Sequence, residues 1–191
     1  MADTMNSAQT GFTLLELLVT IAILAILINV ASPGMQRLSE HTQATATRSN
    51  IERAFATARY TAVTERTLVT ICPLNQNNQC VNDWSLPTAI FRDPDSSLEL
   101  TSQTQLIRLS SLAAHGDIKP SNSSHGPRRY FQYRPDGGVR GTIGNLTWCP
   151  ASKSAELLVQ ARVNFGGRLT WSRDTNNNGI AEGSSGQDLS C

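Results

Sequence analysis

An apolar run near the start of the chain, Leu14 to Ala31, contains one charged side chain, Glu16. Wound as a helix at 1.5 Å per residue, its 18 residues cover about 27 Å, close to the hydrocarbon thickness of a bilayer. A charge inside such a span costs about 2.5–3.5 kcal/mol on insertion scales, so it persists where it finds a partner. The run therefore predicts a membrane-spanning helix, and Glu16 predicts a function for its carboxylate.

A secretory signal peptide would show a positive n-region, a shorter apolar core and a small-residue junction after that core. Here no Lys or Arg precedes the core, and the small-residue junction, Gly11, lies before it. The segment Gly11-Phe12-Thr13-Leu14-Leu15-Glu16 resembles the processing site of the type IV pilin and pseudopilin superfamily. The resemblance implies a leader of residues 1–11, cleaved by a prepilin peptidase between Gly11 and Phe12 on the cytoplasmic face. It also implies N-methylation of Phe12 and retention of residues 12–31 as transmembrane and filament-assembly helix. Gly11 admits close backbone approach by a peptidase, and the new Phe12 amine offers Glu16 a positive partner on a neighbouring subunit. The leader carries Asp3 as its one charged side chain, where the family usually has Lys or Arg.

Ser32-Pro33-Gly34 predicts an interruption of the helix, because proline removes a backbone donor and clashes with the preceding turn. With Phe12 as the first residue, Pro33 is the twenty-second, where pilin helices commonly kink. From Met35 to about Arg66 the pattern becomes amphipathic, with Ile51, Ala54, Phe55, Ala58 and Ala62 spaced by threes and fours. Such a stripe predicts a helix packed on a sheet.

The rest reads as strands, around Leu68–Cys72, Thr88–Arg92, Leu106–Leu109, Arg129–Tyr133, Val139–Ile143, Leu157–Val163 and Arg168–Trp171, separated by Asp/Asn/Gly/Pro turns. The predicted fold is α+β: a long N-terminal helix on a mainly antiparallel sheet, with residues 32–191 forming one periplasmic head. A hydrophobic content of 39% suffices for one such core.

All four cysteines, Cys72, Cys80, Cys149 and Cys191, follow the span, on the side that would meet an oxidising periplasm. Three connectivities are possible. Pairing Cys72 with Cys80 would close a polar loop, and pairing Cys149 with Cys191 would pin the tail, so this arrangement is favoured. Zinc is the rival, yet there is no Cys-x-x-Cys, and His41, His115 and His125 lack ligand spacing.

Beyond the span, Ala58-Arg59-Tyr60, then Val69-Thr70-Ile71-Cys72-Pro73, Cys80, Trp84 and Phe91-Arg92-Asp93 resemble the GspH/FimT-type branch of minor pilins and pseudopilins. Pro87 stands where many members have Gly. The late segment Asn164-Phe165-Gly166-Gly167-Arg168-Leu169-Thr170-Trp171 is similar to the glycine turn and strand of the same branch. Some competence minor pilins carry Gly-Arg-x-Arg there and bind DNA; here Thr170 occupies the second arginine position. Arg168 and Arg173 are the candidate DNA contacts, although strand alternation separates them unless the strand ends in between. Arg128, Arg129, Arg134 and Arg140 could join the patch if their loops converge. Asp174, Asn176 and Asn178 before Gly179 faintly resemble the start of a calcium loop, with Glu182 away from the bidentate position.

Net charge is +1, which by itself announces no polyanion partner. No Gly-x-Ser-x-Gly, His-Glu-x-x-His or P-loop is present, so no enzymatic activity and no cofactor are expected. The resemblance implies a single-pass inner-membrane minor pilin or pseudopilin of a type IV pilus or type II secretion system, placed at its initiating tip and supporting pilus biogenesis or protein secretion. Its implied partners are other pilins of the filament, the prepilin peptidase and the inner-membrane assembly platform. The alternative is a DNA-binding minor pilin for natural transformation.

Overall fold

A computed structural model describes residues 13–191 except 114, 124–125 and 142, and at 30–33 the backbone alone. Gly11 and Phe12 lie outside the described residues. The first element is helix α1, Leu14–Glu65. The chain divides into two compact units, one up to Ser39 and one from Glu40 to Cys191.

In the first unit the helix is apolar on every side, and none of its most apolar window is buried. Two polar side chains there bond back to the helix: Thr20 Oγ1 donates to the Leu17 carbonyl and Asn29 Nδ2 to that of Ala25. The helix assignment runs through Pro33, so the expected interruption at Ser32-Pro33-Gly34 does not end it. An interior proline forfeits one hydrogen bond, and the neighbouring turns can still carry the helix past it.

The second unit is the head. Strands β1 (Val69–Pro73), β2 (Thr88–Arg92), β3 (Leu106–Ser110) and β7 (Phe131–Tyr133) form an antiparallel sheet in the order β3-β2-β1-β7. A second antiparallel sheet, β10-β9-β8-β4, combines β4 (Asp117–Pro120), β8 (Gly144–Cys149), β9 (Val159–Val163) and β10 (Leu169–Trp171). Short strands β5 (Asn122–Ser123) and β6 (Gly126–Pro127) pair separately. The helical stripe enters the core as the spacing predicts: Ile51, Ala54, Phe55, Ala58 and Ala62 are all buried. Phe55 meets Phe131 and Tyr133 edge-on, with ring centroids 5.1 and 6.3 Å apart. Buried Trp148 sits in the same cluster and donates its indole N–H to the His115 carbonyl at 2.7 Å.

Two strand expectations need correction, and two strands, β4 and β8, lie outside the expected set. The described residues of 139–143 form no strand: Val139 makes an isolated bridge to Tyr133 and Gly141 turns the chain at φ +64°, the left-handed region that glycine enters without a Cβ clash. The strand follows it, as β8, whose Gly144-Asn145 start reads like a turn but pairs with Val163 and Arg162 of β9. Strand β4 was hidden by Lys119 and Pro120, which an edge strand accepts because one side of it needs no donor. Residues Ala155–Leu157 form a 3₁₀ turn, and β9 begins only at Val159.

Cys72 bridges Cys80, and Cys149 bridges Cys191, with Cα separations of 5.5 and 5.9 Å. A polar hub ties β1 to β7 and to the loop after β2. Buried Asp93 accepts from Thr70 Oγ1 at 2.8 Å and Gln132 Nε2 at 3.2 Å, and from Ser97 and Leu98 backbone N–H groups. Five donors satisfy this carboxylate without a countercharge, the condition under which a buried anion is tolerable. Glu40, also buried, accepts from the backbone N–H and hydroxyl of Ser152 at 3.1 and 2.7 Å.

Candidate functional site

Two sites were expected, one in each unit. In the first, Thr13 caps α1: its Oγ1 accepts from the Glu16 backbone N–H at 3.2 Å. Thr13 with Glu16 three residues on is the pattern of a capping box, so the residues that resemble a processing signal also define the start of the helix. Glu16 is exposed, and among the described residues its carboxylate has no ion-pair or hydrogen-bond partner. Around it Leu14, Leu15, Leu17 and Leu18 are exposed as well, at 76, 71, 60 and 54%. A carboxylate on so apolar a helix face calls for a partner that the described residues do not supply.

The second site is built by the β9–β10 hairpin. Its turn closes with the Gly167 N–H on the Asn164 carbonyl and the Arg168 N–H on Asn164 Oδ1, both at 2.9 Å. Gly167 has φ +71°, and a Cβ there would collide with the Gly137 carbonyl oxygen, so the glycine of this turn is a steric requirement. Strand β10 stops at Trp171. Because it stops there, Arg168 and Arg173 both line one groove of about 560 Å³, together with Arg162, Thr170 and Glu182. A second groove of about 400 Å³ shares Arg162 and Ser184 with the first and adds Arg128.

Counter-ions are scarce in these grooves. Glu182 is buried, and its carboxylate is taken up by the Thr175 N–H and hydroxyl at 2.8 and 3.0 Å and by the Asn176 N–H at 3.3 Å. Among the described residues the Arg162 guanidinium makes a long 3.5 Å contact from Nη2 to the Trp171 carbonyl, and its buried Nε has no partner there. Arg128 likewise has a buried, unpartnered Nε, while its Nη2 donates to the Ile143 carbonyl. Burial lowers the Arg128 pKa from its ordinary value, with Tyr130 opposing. On the other flank Trp171 is held by its indole N–H on Glu52 Oε1 at 2.7 Å and by the Arg48 guanidinium 4.7 Å from its ring centre.

Other sequence candidates fall elsewhere. Arg134 pairs with Asp136 at 2.7 Å, and Arg129 and Arg140 are exposed but line neither groove. In the calcium-like segment, Asp174 accepts from the Asn177 and Gly179 N–H groups, Asn176 from Asn178 and Asn178 from Ile180, all at 2.7–2.8 Å. These side-chain oxygens hold the turn, and no group of three His, Cys, Asp or Glu able to hold a metal occurs among the described residues. Arg162 was missed in the sequence. Counting back from the glycine turn sets it opposite Thr170, and that hairpin register was the signal available.

A profile described as type II transport protein GspH matches residues 47–167, and the prokaryotic N-terminal methylation motif matches residues 6–28. No curated protein matches the chain. Among solved structures, the fold is similar to the Pseudomonas aeruginosa type IV minor pilin FimU at 16% identity and TM-score 0.51, covering 69% of this chain and 92% of that one. The minor pseudopilin EpsH from the type 2 secretion system of Vibrio cholerae aligns at 10% identity and TM-score 0.44, over 66% of this chain and 94% of that one.

Proposed function

The chain belongs to the GspH family of type II transport proteins, and from that premise we propose that it is a minor subunit at the initiating tip of a type IV pilus or type II secretion pseudopilus. In this reading a prepilin peptidase cleaves after Gly11 and methylates Phe12. The apolar helix stays in the inner membrane with the head in the periplasm until the assembly platform draws the subunit into the filament. The observation that carries it is Glu16, a carboxylate with no partner among the described residues, on a helix whose large side chains are exposed. The methylated amine of Phe12 on a neighbouring subunit would supply the missing positive charge, and neighbouring helices would cover the apolar surface.

The test is incorporation into filaments of Glu16→Ala beside Glu16→Asp in cells carrying the assembly system. The alanine variant is expected to insert in the membrane and fold its head yet be lost from sheared filaments. Normal incorporation of Glu16→Ala would remove the assembly role.

One observation favours a second reading, DNA capture for natural transformation: Arg162, Arg168 and Arg173 line one groove and, among the described residues, none of them is in an ion pair. Such a head would retain DNA in a salt-dependent way and lose it on Arg168→Glu while filament assembly persists. A purely structural subunit would tolerate that charge reversal.

A further inference from the structure

The arginine absent at position 170 has a counterpart one strand away. Thr170 is paired directly with Arg162 in the antiparallel register of β10 and β9. Directly opposed residues project from the same face of a sheet, with Cβ atoms about 4.5–5.5 Å apart. Arg168 stands in the turn just before β10 and borders the same groove. All three line one groove. We propose that Arg162 supplies the second guanidinium of a phosphodiester clamp with Arg168, reaching across the hairpin into the space that Thr170 leaves open. This rests on the DNA-binding reading above.

Three features support the assignment. Arg162 is half-buried with an unpartnered Nε and one long carbonyl contact. A desolvated donor without a partner is costly, and a phosphate oxygen would relieve that cost while accepting two parallel N–H bonds. The one carboxylate lining the groove, that of Glu182, is already engaged by Thr175 and Asn176. Finally, Arg162 also lines the neighbouring groove with Arg128, so it sits where two basic stretches meet, a position suited to successive phosphates of one strand.

The test uses the full chain in detergent, a short fluorescently labelled DNA duplex and anisotropy measured over a series of salt concentrations. Arg162→Met keeps the aliphatic stem and removes the guanidinium. It is expected to weaken binding about tenfold, the loss of one charge-assisted contact, and to reduce the salt slope by about one, matching Arg168→Met. Adding Thr170→Arg to Arg162→Met should recover most of the loss. If Arg162→Met does not fold, Arg162→Lys decides: it should keep the salt slope and still lose affinity severalfold, because an ammonium cannot bind in two-pronged fashion. Wild-type binding that falls in Arg168→Met but is unchanged in Arg162→Met, or in Arg162→Lys where that variant decides, overturns the clamp and leaves the DNA reading standing. Absence of salt-dependent binding by the wild-type chain overturns both.

Discussion

The apolar unit and the head treat large hydrophobic side chains in opposite ways. In the first, Ile21, Ile23, Leu24 and Leu27 are each more than half exposed; in the second, Ile51, Phe55, Phe131 and Trp148 are at most 2% exposed. A soluble domain does not leave so contiguous an apolar surface open to water. The head completes its own core, whereas the large side chains of the apolar helix stay exposed, and in the proposed function lipid and neighbouring helices cover them. Stability and assembly should therefore be separable by mutation.

The sharpest way to break this contrast is truncation within each unit. Phe55→Ala removes a ring packed on two others and should lower head stability by about 3–5 kcal/mol. Leu24→Ala, in the exposed apolar stretch, should leave the head's thermal midpoint unchanged. Equal effects of the two would mean that the helix is one energetic unit and the contrast is false.

A somewhat smaller effect tests how the head is tied together. The Cys149–Cys191 bridge closes a separation of 42 residues and Cys72–Cys80 one of 8. In the loop-entropy view the double Cys→Ser variants should cost about 4 and about 2.5 kcal/mol respectively. Denaturant titration of each variant checks the order, and a reversed order would show that native-state contacts outweigh chain entropy.

The smallest effect concerns the end of α1, where Glu65 meets Arg92 with Oε1 2.7 Å from Nη2. Hydrogen bonding to Arg92, ahead of its charge, lowers the Glu65 pKa below the ordinary 4.5. A carboxyl group with a lowered folded pKa contributes stability above its unfolded pKa and loses it as pH falls through the folded value. Both side chains are solvent-accessible, so the contribution is small. The stability difference between wild type and Arg92→Gln should thus be small near neutrality and vanish in acid below the folded pKa; a difference that grows in acid would have the wrong sign.

The sequence spoke most clearly where one physical demand dominated. The Leu14–Ala31 run and the stripe through Ile51 and Phe55 were readable because burial and bilayer thickness impose a period and a length. The paired cysteines were readable because one loop is short and the other ends at the last residue. Strands β4 and β8 were not, since Pro120 and the Gly144-Asn145 start look like loop until tertiary pairing makes one an edge and the other an interior strand. Arg168 could be singled out beside its glycine turn. Arg162 could not, because its place in the groove comes from register across a hairpin and not from a motif in line.

The most direct measurement of the filament reading is the mature N-terminus, determined by mass spectrometry on the chain expressed in a cell with a prepilin peptidase. The expected result is a protein that begins at N-methylated Phe12 and keeps Glu16 and the whole apolar helix. An intact Met1 in the mature protein, or cleavage after Ala31, would contradict it, since either leaves no methylated Phe12 on a retained helix to meet a neighbour's Glu16.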